Sequence, residues 1–271
     1  MTYLQAIIFA FVQGVTELFP ISSIAHTVLV PYILRWNLSF EFLKENFLPF
    51  IVMLHLGTTI ALLTFFGRDW IQILKSVFYK NQSKKLLYLI IVGTIPAIII
   101  GFLFEKLIRT SMSNVTSASI FLILNGFMLY LGEKLHSKGK KRIEELSYKE
   151  ASIVGLVQCL AFIPGFSRSG SSMTAGFWVG LSHEESVHFS MLLATPVIAG
   201  AAVIEIPKLI KTHINGLFQI SILGGIVSAV FAFIAILILV YWFKKKEINA
   251  MLPFSYYCWI VGTAVLISKF F

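Results

Sequence analysis

The sequence predicts an all-α polytopic membrane protein, and three observations lead to this fold class. Hydrophobic residues make up 57% of the 271 residues and charged residues only 13%, whereas a soluble domain is about 45–50% apolar and about 25% charged. Several apolar stretches are each long enough for a helix to cross the roughly 30 Å core of a bilayer. Two further apolar regions are interrupted by proline, serine and glycine. The predicted membrane spans cover approximately residues 47–66, 86–104, 114–132, 186–206, 216–243 and 252–269.

The two interrupted regions, 4–35 and 150–181, predict re-entrant hairpins that enter and leave the bilayer on one side. Each arm holds about 13–16 residues, which is roughly 20–24 Å of helix and short for a full crossing. Broken backbone at membrane depth is tolerated where it is buried in protein or lines a wet cavity. Two short full crossings per region remain the alternative. The first region lacks a basic leader and a small-residue cleavage site, so we expect it to be retained as structure.

The two interruptions resemble each other and indicate a duplicated unit. Residues 12–23 read VQGVTELFPISS, and residues 157–169 read VQCLAFIPGFSRS. Both run from Val-Gln through apolar residues to a proline and a serine cluster. We therefore predict one membrane domain, 1–271, in which each half is a broken-helix hairpin plus three transmembrane helices. Repeat 1 covers about 1–132, a cytoplasmic loop covers 133–149, and repeat 2 covers about 150–271.

The net charge of +9 is distributed as membrane orientation requires, because most lysines and arginines lie in short loops between apolar runs. This pattern argues against a nucleic-acid partner. The positive-inside rule places the loops 68–85, 133–149, 182–185 and 244–251 in the cytoplasm. The first hairpin would then enter from outside and the second from the cytoplasm, so the halves would form an inverted repeat.

The inverted repeat predicts one shared site, because broken helices of this kind meet near the membrane midplane. The first break contributes Glu17 and His26, and the second contributes Arg168. Ionisable residues at this depth usually pair or serve a site. A purely structural pair of Glu17 with Arg168 is the simpler alternative, but it leaves the surrounding serines unexplained. His55 lies in a predicted span and either lines the same cavity or is a core histidine.

The first break carries candidate metal ligands and a candidate nucleophile. Gln13 and Glu17 share a helix face and can bind a divalent cation, Mg²⁺ or alternatively Ca²⁺, if the substrate adds phosphate oxygens. Ser23 and His26 are three residues apart and can face one cavity, with His26 as a base or proton donor. Capping of a new helix is the structural alternative for Ser22 and Ser23.

The second break predicts a phosphate-binding site. Residues 164–172 read PGFSRSGSS and place a guanidinium, hydroxyls and glycine backbone at the start of a predicted helix. Exposed N–H groups and the dipole at a helix N-terminus bind phosphate. The guanidinium of Arg168 can bind two phosphate oxygens at once, in bidentate geometry. Together the breaks indicate chemistry on the phosphate end of a lipid.

The chain resembles the undecaprenyl pyrophosphate phosphatase (bacitracin-resistance) family in three segments, QGVTE at 13–17, PISSIAH at 20–26 and PGFSRSG at 164–170. The resemblance implies hydrolysis of undecaprenyl diphosphate to the monophosphate in the bacterial plasma membrane, which recycles the carrier lipid for cell-wall synthesis. By position, it implies metal and water handling for Gln13 and Glu17, and nucleophile and acid/base chemistry for Ser23 and His26. It implies diphosphate binding for Ser167, Arg168 and Ser169, with Ser172 at a position where threonine is frequent. We also expect Ser22 and Gly170 to bind the substrate and Arg168 to act in catalysis by offsetting its charge. Gln13 stands where glutamate is frequent in the family, and Ile24-Ala25 where Thr-Gly is common.

Several alternatives remain at this level. An inverted repeat also allows a flippase or transporter of a phosphorylated polyprenyl lipid. A second class of lipid phosphatase carries Ser-Arg-x₅-His, and here Thr174 stands at the position of that histidine. Attack by Ser23 and attack by water are both compatible with the motifs. The sequence also leaves open whether the protein is a homodimer.

Overall fold

The computed structural model describes residues 1–38, 47–78, 83–103, 114–135, 139–210, 217–246 and 248–269, with the backbone alone at 48, 49, 83 and 201–210. Within these ranges the regular structure is helical and no β-strand forms. In chain order the α-helices are α1 (Tyr3–Thr16), α2 (Ser23–Ile33), α3 (Phe47–Phe65), α4 (Gly67–Phe78), α5 (Ser83–Leu103), α6 (Val115–Leu135), α7 (Tyr148–Gln158), α8 (Arg168–Trp178), α9 (His183–Ile210), α10 (Leu217–Lys245) and α11 (Leu252–Ser268).

The helices agree with a membrane fold. Among the described residues, α5, α6 and α10 are long and apolar enough to cross a bilayer, and α3 with α4 makes a fourth span if that bent pair is counted as one. The predicted span 186–206 lies within the continuous helix α9. The predicted span 252–269 corresponds to α11, an apolar helix of 17 residues. Large apolar side chains such as Ile98, Ile226 and Ile260 lie on exposed faces of these helices, as a hydrocarbon solvent permits.

The prediction of a loop over 68–85 is wrong for most of that segment. Residues 67–78 form α4, bent by 78° from α3, and residues 79–82 lie outside the described part of the chain. Ile71, Leu74 and Phe78 are exposed on α4, while Ile73 is buried. Charged residues had suggested a loop, but apolar residues recur between them at helical spacing and give the segment an amphipathic face.

Both predicted helix breaks are present, and each has a local cause. The first lies between α1 and α2, where Pro20 lacks an N–H donor and Ser22 adopts a left-handed backbone with φ 65°. In the second, a short 3₁₀ helix (Cys159–Phe162) leads from α7 to Pro164 and to Gly165, whose φ is +121°. A Cβ at Gly165 would also collide with Phe121 on α6, so only glycine fits this turn.

The helices pack through small residues, as membrane helices do when their backbones approach closely. Helix α10 contacts both α1 and α3. Gly57 on α3 meets the backbone of Gly225 on α10 so closely that a Cβ at position 57 would overlap its carbonyl group. Helix α9 packs against α3 and α8, α5 against α7, and α11 against α6. These contacts bring α1, α3, α7 and α8 around one central region.

The segment predicted as a cytoplasmic loop, 133–149, begins inside a helix, because α6 continues to Leu135. Residues 136–138 lie outside the described residues. Glu133 is buried and accepts hydrogen bonds from His183 Nε2 (3.0 Å) and from the backbone N–H groups of Asn249 and Met251 (2.7 and 2.9 Å). One carboxylate therefore ties the end of α6 to the beginnings of α9 and α11.

Candidate active site

Glu17 and Arg168 join the two helix breaks. Arg168, the first residue of α8, donates from Nε and Nη2 to Glu17 Oε1 at 3.3 and 3.1 Å. The Arg168 side chain is only 10% exposed and that of Glu17 only 6%. Because a buried charge is costly without a partner, each residue compensates the other. The expected meeting of the two breaks through this pair is therefore present in the structure.

The second oxygen of the Glu17 carboxylate collects three more polar groups. Gln13 Nε2 donates to Oε2 at 3.1 Å, and the Ser23 hydroxyl donates to it at 2.5 Å. His55 Nε2 lies 3.2 Å from the same oxygen. Glu17 is thus the hub of a cluster drawn from α1, α2, α3 and α8. The sequence had left His55 undecided, and the structure places it beside this carboxylate.

A cavity of about 260 Å³ lies against this cluster. Most of its wall is apolar and comes from α3, α5, α9 and the second break. Such a mixture of apolar walls and a few convergent polar groups is typical of a small-molecule site. The polar lining residues are Glu17, Ser22, Ser23, His55, Gln158, Ser167 and Arg168.

Asn125, a fully buried residue on α6, holds the two breaks together. Its Nδ2 donates to the Pro20 carbonyl at 2.9 Å, and its Oδ1 accepts from the Ser167 N–H at 2.9 Å. One amide thereby satisfies backbone groups of both breaks, which would otherwise be buried without partners. Sequence reasoning missed Asn125. The available signal was a lone amide in the middle of a predicted span, where polar side chains are costly.

His26 lies outside the cavity lining and does not contact Ser23 through either ring nitrogen. Its Nδ1 donates to the Ser22 carbonyl at 2.7 Å, and its Nε2 is 2.8 Å from the Tyr257 hydroxyl. The ring also stacks on Tyr257. His26 therefore anchors the left-handed turn at Ser22, a conformation that is strained for residues other than glycine.

The serines of the second break divide into two groups. Ser167 lines the cavity and caps α8 by accepting from the Gly170 N–H at 3.2 Å. Ser169 donates to the Phe19 carbonyl at 3.1 Å, and Ser172 bonds within α8 and to Ser190 at 2.6 Å. Ser169, Gly170 and Ser172 are buried but are not among the lining residues. In the first break, Ser22 both caps α2 and lines the cavity.

Some buried polar atoms at the site have no hydrogen-bond partner among the described residues. They are Arg168 Nη1, Gln13 Oε1 and both amide atoms of Gln158. Leaving such groups unpaired costs about 1–3 kcal/mol each, and a ligand in the cavity would offset that cost by supplying acceptors and donors. Within the described ranges, no group of three or more His, Cys, Asp and Glu side chains is arranged so that it could hold a metal ion. A divalent cation fits here only if the substrate provides most of its ligands, with Glu17 and Gln13 Oε1 contributing from the protein.

Fold and site together define a class: a multi-pass helical membrane protein with a buried arginine–carboxylate site between two broken helices. The particular family follows from comparison with known proteins. Residues 6–264 match the family described as "Bacitracin resistance protein BacA", and the chain belongs to that family.

Relatives cover the chain nearly end to end. It is 57% identical to undecaprenyl-diphosphatase 2 of Oenococcus oeni over 269 residues, 99% of each chain. It is 42% identical to undecaprenyl-diphosphatase 2 of Chromobacterium violaceum, again over 99% of each. It is 40% identical to undecaprenyl-diphosphatase of Acidiphilium cryptum, over 98% of each. The family expected from the motifs is therefore confirmed.

Proposed function

We propose that this protein hydrolyses undecaprenyl diphosphate to undecaprenyl phosphate and inorganic phosphate, with the diphosphate bound between the two helix breaks. One observation carries the assignment to this site: a nucleophile candidate, Ser23, and a phosphate-binding guanidinium, Arg168, both contact the same buried carboxylate. The apolar walls of the cavity suit the beginning of an isoprenyl chain. The close relatives, named undecaprenyl-diphosphatases, support the substrate.

The chemistry follows from these contacts. Phosphoryl transfer depends mainly on positioning and on stabilising charge, which Arg168 and the N-terminus of α8 provide. Glu17 accepts the Ser23 proton as Oγ attacks the terminal phosphorus. The bond from that phosphorus to the bridging oxygen breaks, and undecaprenyl phosphate leaves. Water then hydrolyses the phosphoserine and releases inorganic phosphate. In this scheme His26 holds the Ser22 turn and thereby aims Ser23.

A divalent cation, Mg²⁺ or alternatively Ca²⁺, is part of the proposal. Glu17 and Gln13 Oε1 would hold it with oxygens of the substrate, and it would offset the charge of the diphosphate. The unpaired, buried Gln13 Oε1 supports this. Glu17 already accepts from Ser23 and Arg168, so binding of substrate and cation would redistribute these hydrogen bonds.

The function is tested by phosphate release from undecaprenyl diphosphate by purified protein, with and without EDTA. We expect steady release in the presence of Mg²⁺ and loss of nearly all release in EDTA, restored by added cation. Release that continues unchanged in EDTA would remove the cation from the proposal. A folded protein that binds the lipid and releases no phosphate would overturn the proposal and favour the alternative of a lipid transporter, which lipid translocation in reconstituted vesicles would then test.

Replacing Ser23 by alanine is expected to lower kcat at least about 1000-fold, because the proposed nucleophile is lost. Wild-type enzyme mixed with substrate labelled on the terminal phosphate and quenched in acid should carry label on Ser23. Ser221→Ala is a matched control, since Ser221 is buried on α10 and donates only to the Leu217 carbonyl. A rate for Ser23→Ala within about tenfold of wild type, without labelled protein, would favour direct attack by water.

We also propose that the two halves form an inverted repeat with re-entrant hairpins in the bacterial plasma membrane. Exchanged contacts support this arrangement: α1 of the first half packs on α10, and α7 of the second half packs on α5. In both halves the hairpin is two short helices joined by a proline-containing break. Cysteines introduced by Lys140→Cys and by Lys244→Cys should both react with a thiol reagent applied from the cytoplasmic side of the membrane.

A further inference from the structure

The cavity contains a buried amide that the proposed chemistry does not use. Gln158 is the last residue of α7 and lines the cavity, yet it is only 2% exposed. Neither Nε2 nor Oε1 has a hydrogen-bond partner among the described residues. A buried, unpaired amide destabilises a fold. Gln158 is a lining residue of the cavity, so a ligand bound there is the group that can provide the missing partners.

The corresponding residue of the other half is used differently. Gln13 follows a valine in the first break as Gln158 does in the second. Gln13 donates to Glu17 and so belongs to the carboxylate cluster. Gln158 makes no hydrogen bond to that cluster, although Glu17 and Arg168 line the same cavity. The two amides therefore differ in their surroundings, since Gln13 is held by the cluster and Gln158 has no hydrogen-bond partner among the described residues.

We infer that Gln158 binds the phosphate group that stays on the lipid, by donating from Nε2 to one of its oxygens. The terminal phosphate belongs beside Ser23 and Arg168, where transfer takes place. The neighbouring lining residues Ala161 and Phe162 are apolar and suit the first isoprenyl unit. A cavity that offers a charged cluster, an unpaired amide and apolar walls matches a diphosphate joined to an isoprenyl chain. The inference deepens the proposed function and rests on it.

Binding of the retained phosphate would distinguish Gln158 from the residues that act on the transferred phosphoryl group. A contact to the retained phosphate is present in both substrate and product. It should therefore contribute to binding of each and change kcat little, as uniform binding does. Arg168 Nη1, the other unpaired donor at the site, would stay available to the terminal phosphate.

The test compares Gln158→Leu with Gln219→Leu in the purified, full-length protein. Gln219 is exposed on α10 and is a matched control for the loss of an amide. KM for undecaprenyl diphosphate and the inhibition constant of undecaprenyl monophosphate are both expected to rise about 10- to 100-fold in Gln158→Leu, as for one hydrogen bond to a charged group. kcat should stay within about threefold, and the thermal midpoint should not fall, since the amide has no internal partner to lose.

Direct binding of undecaprenyl monophosphate is measured alongside hydrolysis, so that two failures are distinguishable. If wild type releases no phosphate, the proposed function fails, whatever Gln158 does. If wild type is active, but Gln158→Leu matches Gln219→Leu in KM and in monophosphate binding, the inference is overturned. It is also overturned if Gln158→Leu lowers the thermal midpoint with KM unchanged, because the amide would then be structural.

Discussion

Replacing Arg168 by alanine is expected to slow phosphate release from undecaprenyl diphosphate at least about 1000-fold, the effect of removing an arginine that stabilises a transferring phosphoryl group. The guanidinium already binds Glu17 through Nε and Nη2 and keeps Nη1 unpaired for a ligand. Its loss leaves the diphosphate and the Glu17 carboxylate without the positive charge that compensates them. We therefore expect KM to rise together with the fall in kcat, as measured by steady-state kinetics.

Two further variants separate chemistry from folding. Arg168→Lys keeps the charge that balances Glu17 but loses the planar fork, so it should fold and still be slower by about 100-fold. Arg142→Ala is the matched control, because that arginine side chain is 69% exposed. Wild-type kinetics in Arg168→Lys would contradict bidentate binding of the phosphate by the guanidinium. Equal losses in Arg168→Ala and Arg142→Ala would place the effect outside the site.

Replacing Glu17 by glutamine is expected to lower kcat at least about 1000-fold while KM stays the same or falls. The carboxylate is the expected acceptor of the Ser23 proton, and its Oε2 lies within reach of Gln13, Ser23 and His55. Glutamine keeps the shape but loses basicity and charge. The kinetics are measured at a cation concentration that saturates the variant, because Glu17 is also a proposed cation ligand. Under that condition the loss of an anion adds no repulsion against an anionic substrate, so the defect should appear in the chemical step.

The opposite responses of KM are the sharpest check on this site. Arg168→Ala should raise KM, whereas Glu17→Gln should not. Glu144→Gln is the matched control, since its side chain is 58% exposed. If Glu17→Gln raises KM and leaves kcat unchanged, Glu17 positions Arg168 and does not accept a proton. A lowered thermal midpoint without a change in kcat would make the Glu17–Arg168 contact purely structural.

Helical class, apolar spans and the two helix breaks were predictable from sequence because they depend on local composition. A proline followed by a serine cluster interrupts the apolar run at residues 20–23 and again at 164–170, and this combination favours a helix break. The same local reasoning failed at α4, where charges between apolar residues were interpreted as a loop. Only the amphipathic spacing of its apolar residues distinguishes such a helix from a charged loop. The bend of 78° between α3 and α4 depends on packing and could not be predicted locally.

The partners of each polar side chain depended on tertiary structure. Glu17 and Arg168 were expected to meet, because a buried anion and cation in two broken helices need each other. Spacing also allowed Ser23 to pair with His26, yet Ser23 donates to Glu17 and His26 binds the Ser22 carbonyl and Tyr257. A shared helix face permits a contact, but the side chain bonds whichever group the fold brings within reach.

The sequence by itself determined that the protein lies in a membrane, that it is helical with two breaks, and which residue types are suited to bind phosphate. Only the tertiary structure brought His55 to Glu17, used Asn125 to join both breaks and left Gln158 unpaired in a cavity. The physical reason is range. Composition and periodicity act over a few residues, whereas these contacts join residues far apart in the chain, such as Asn125 with both Pro20 and Ser167.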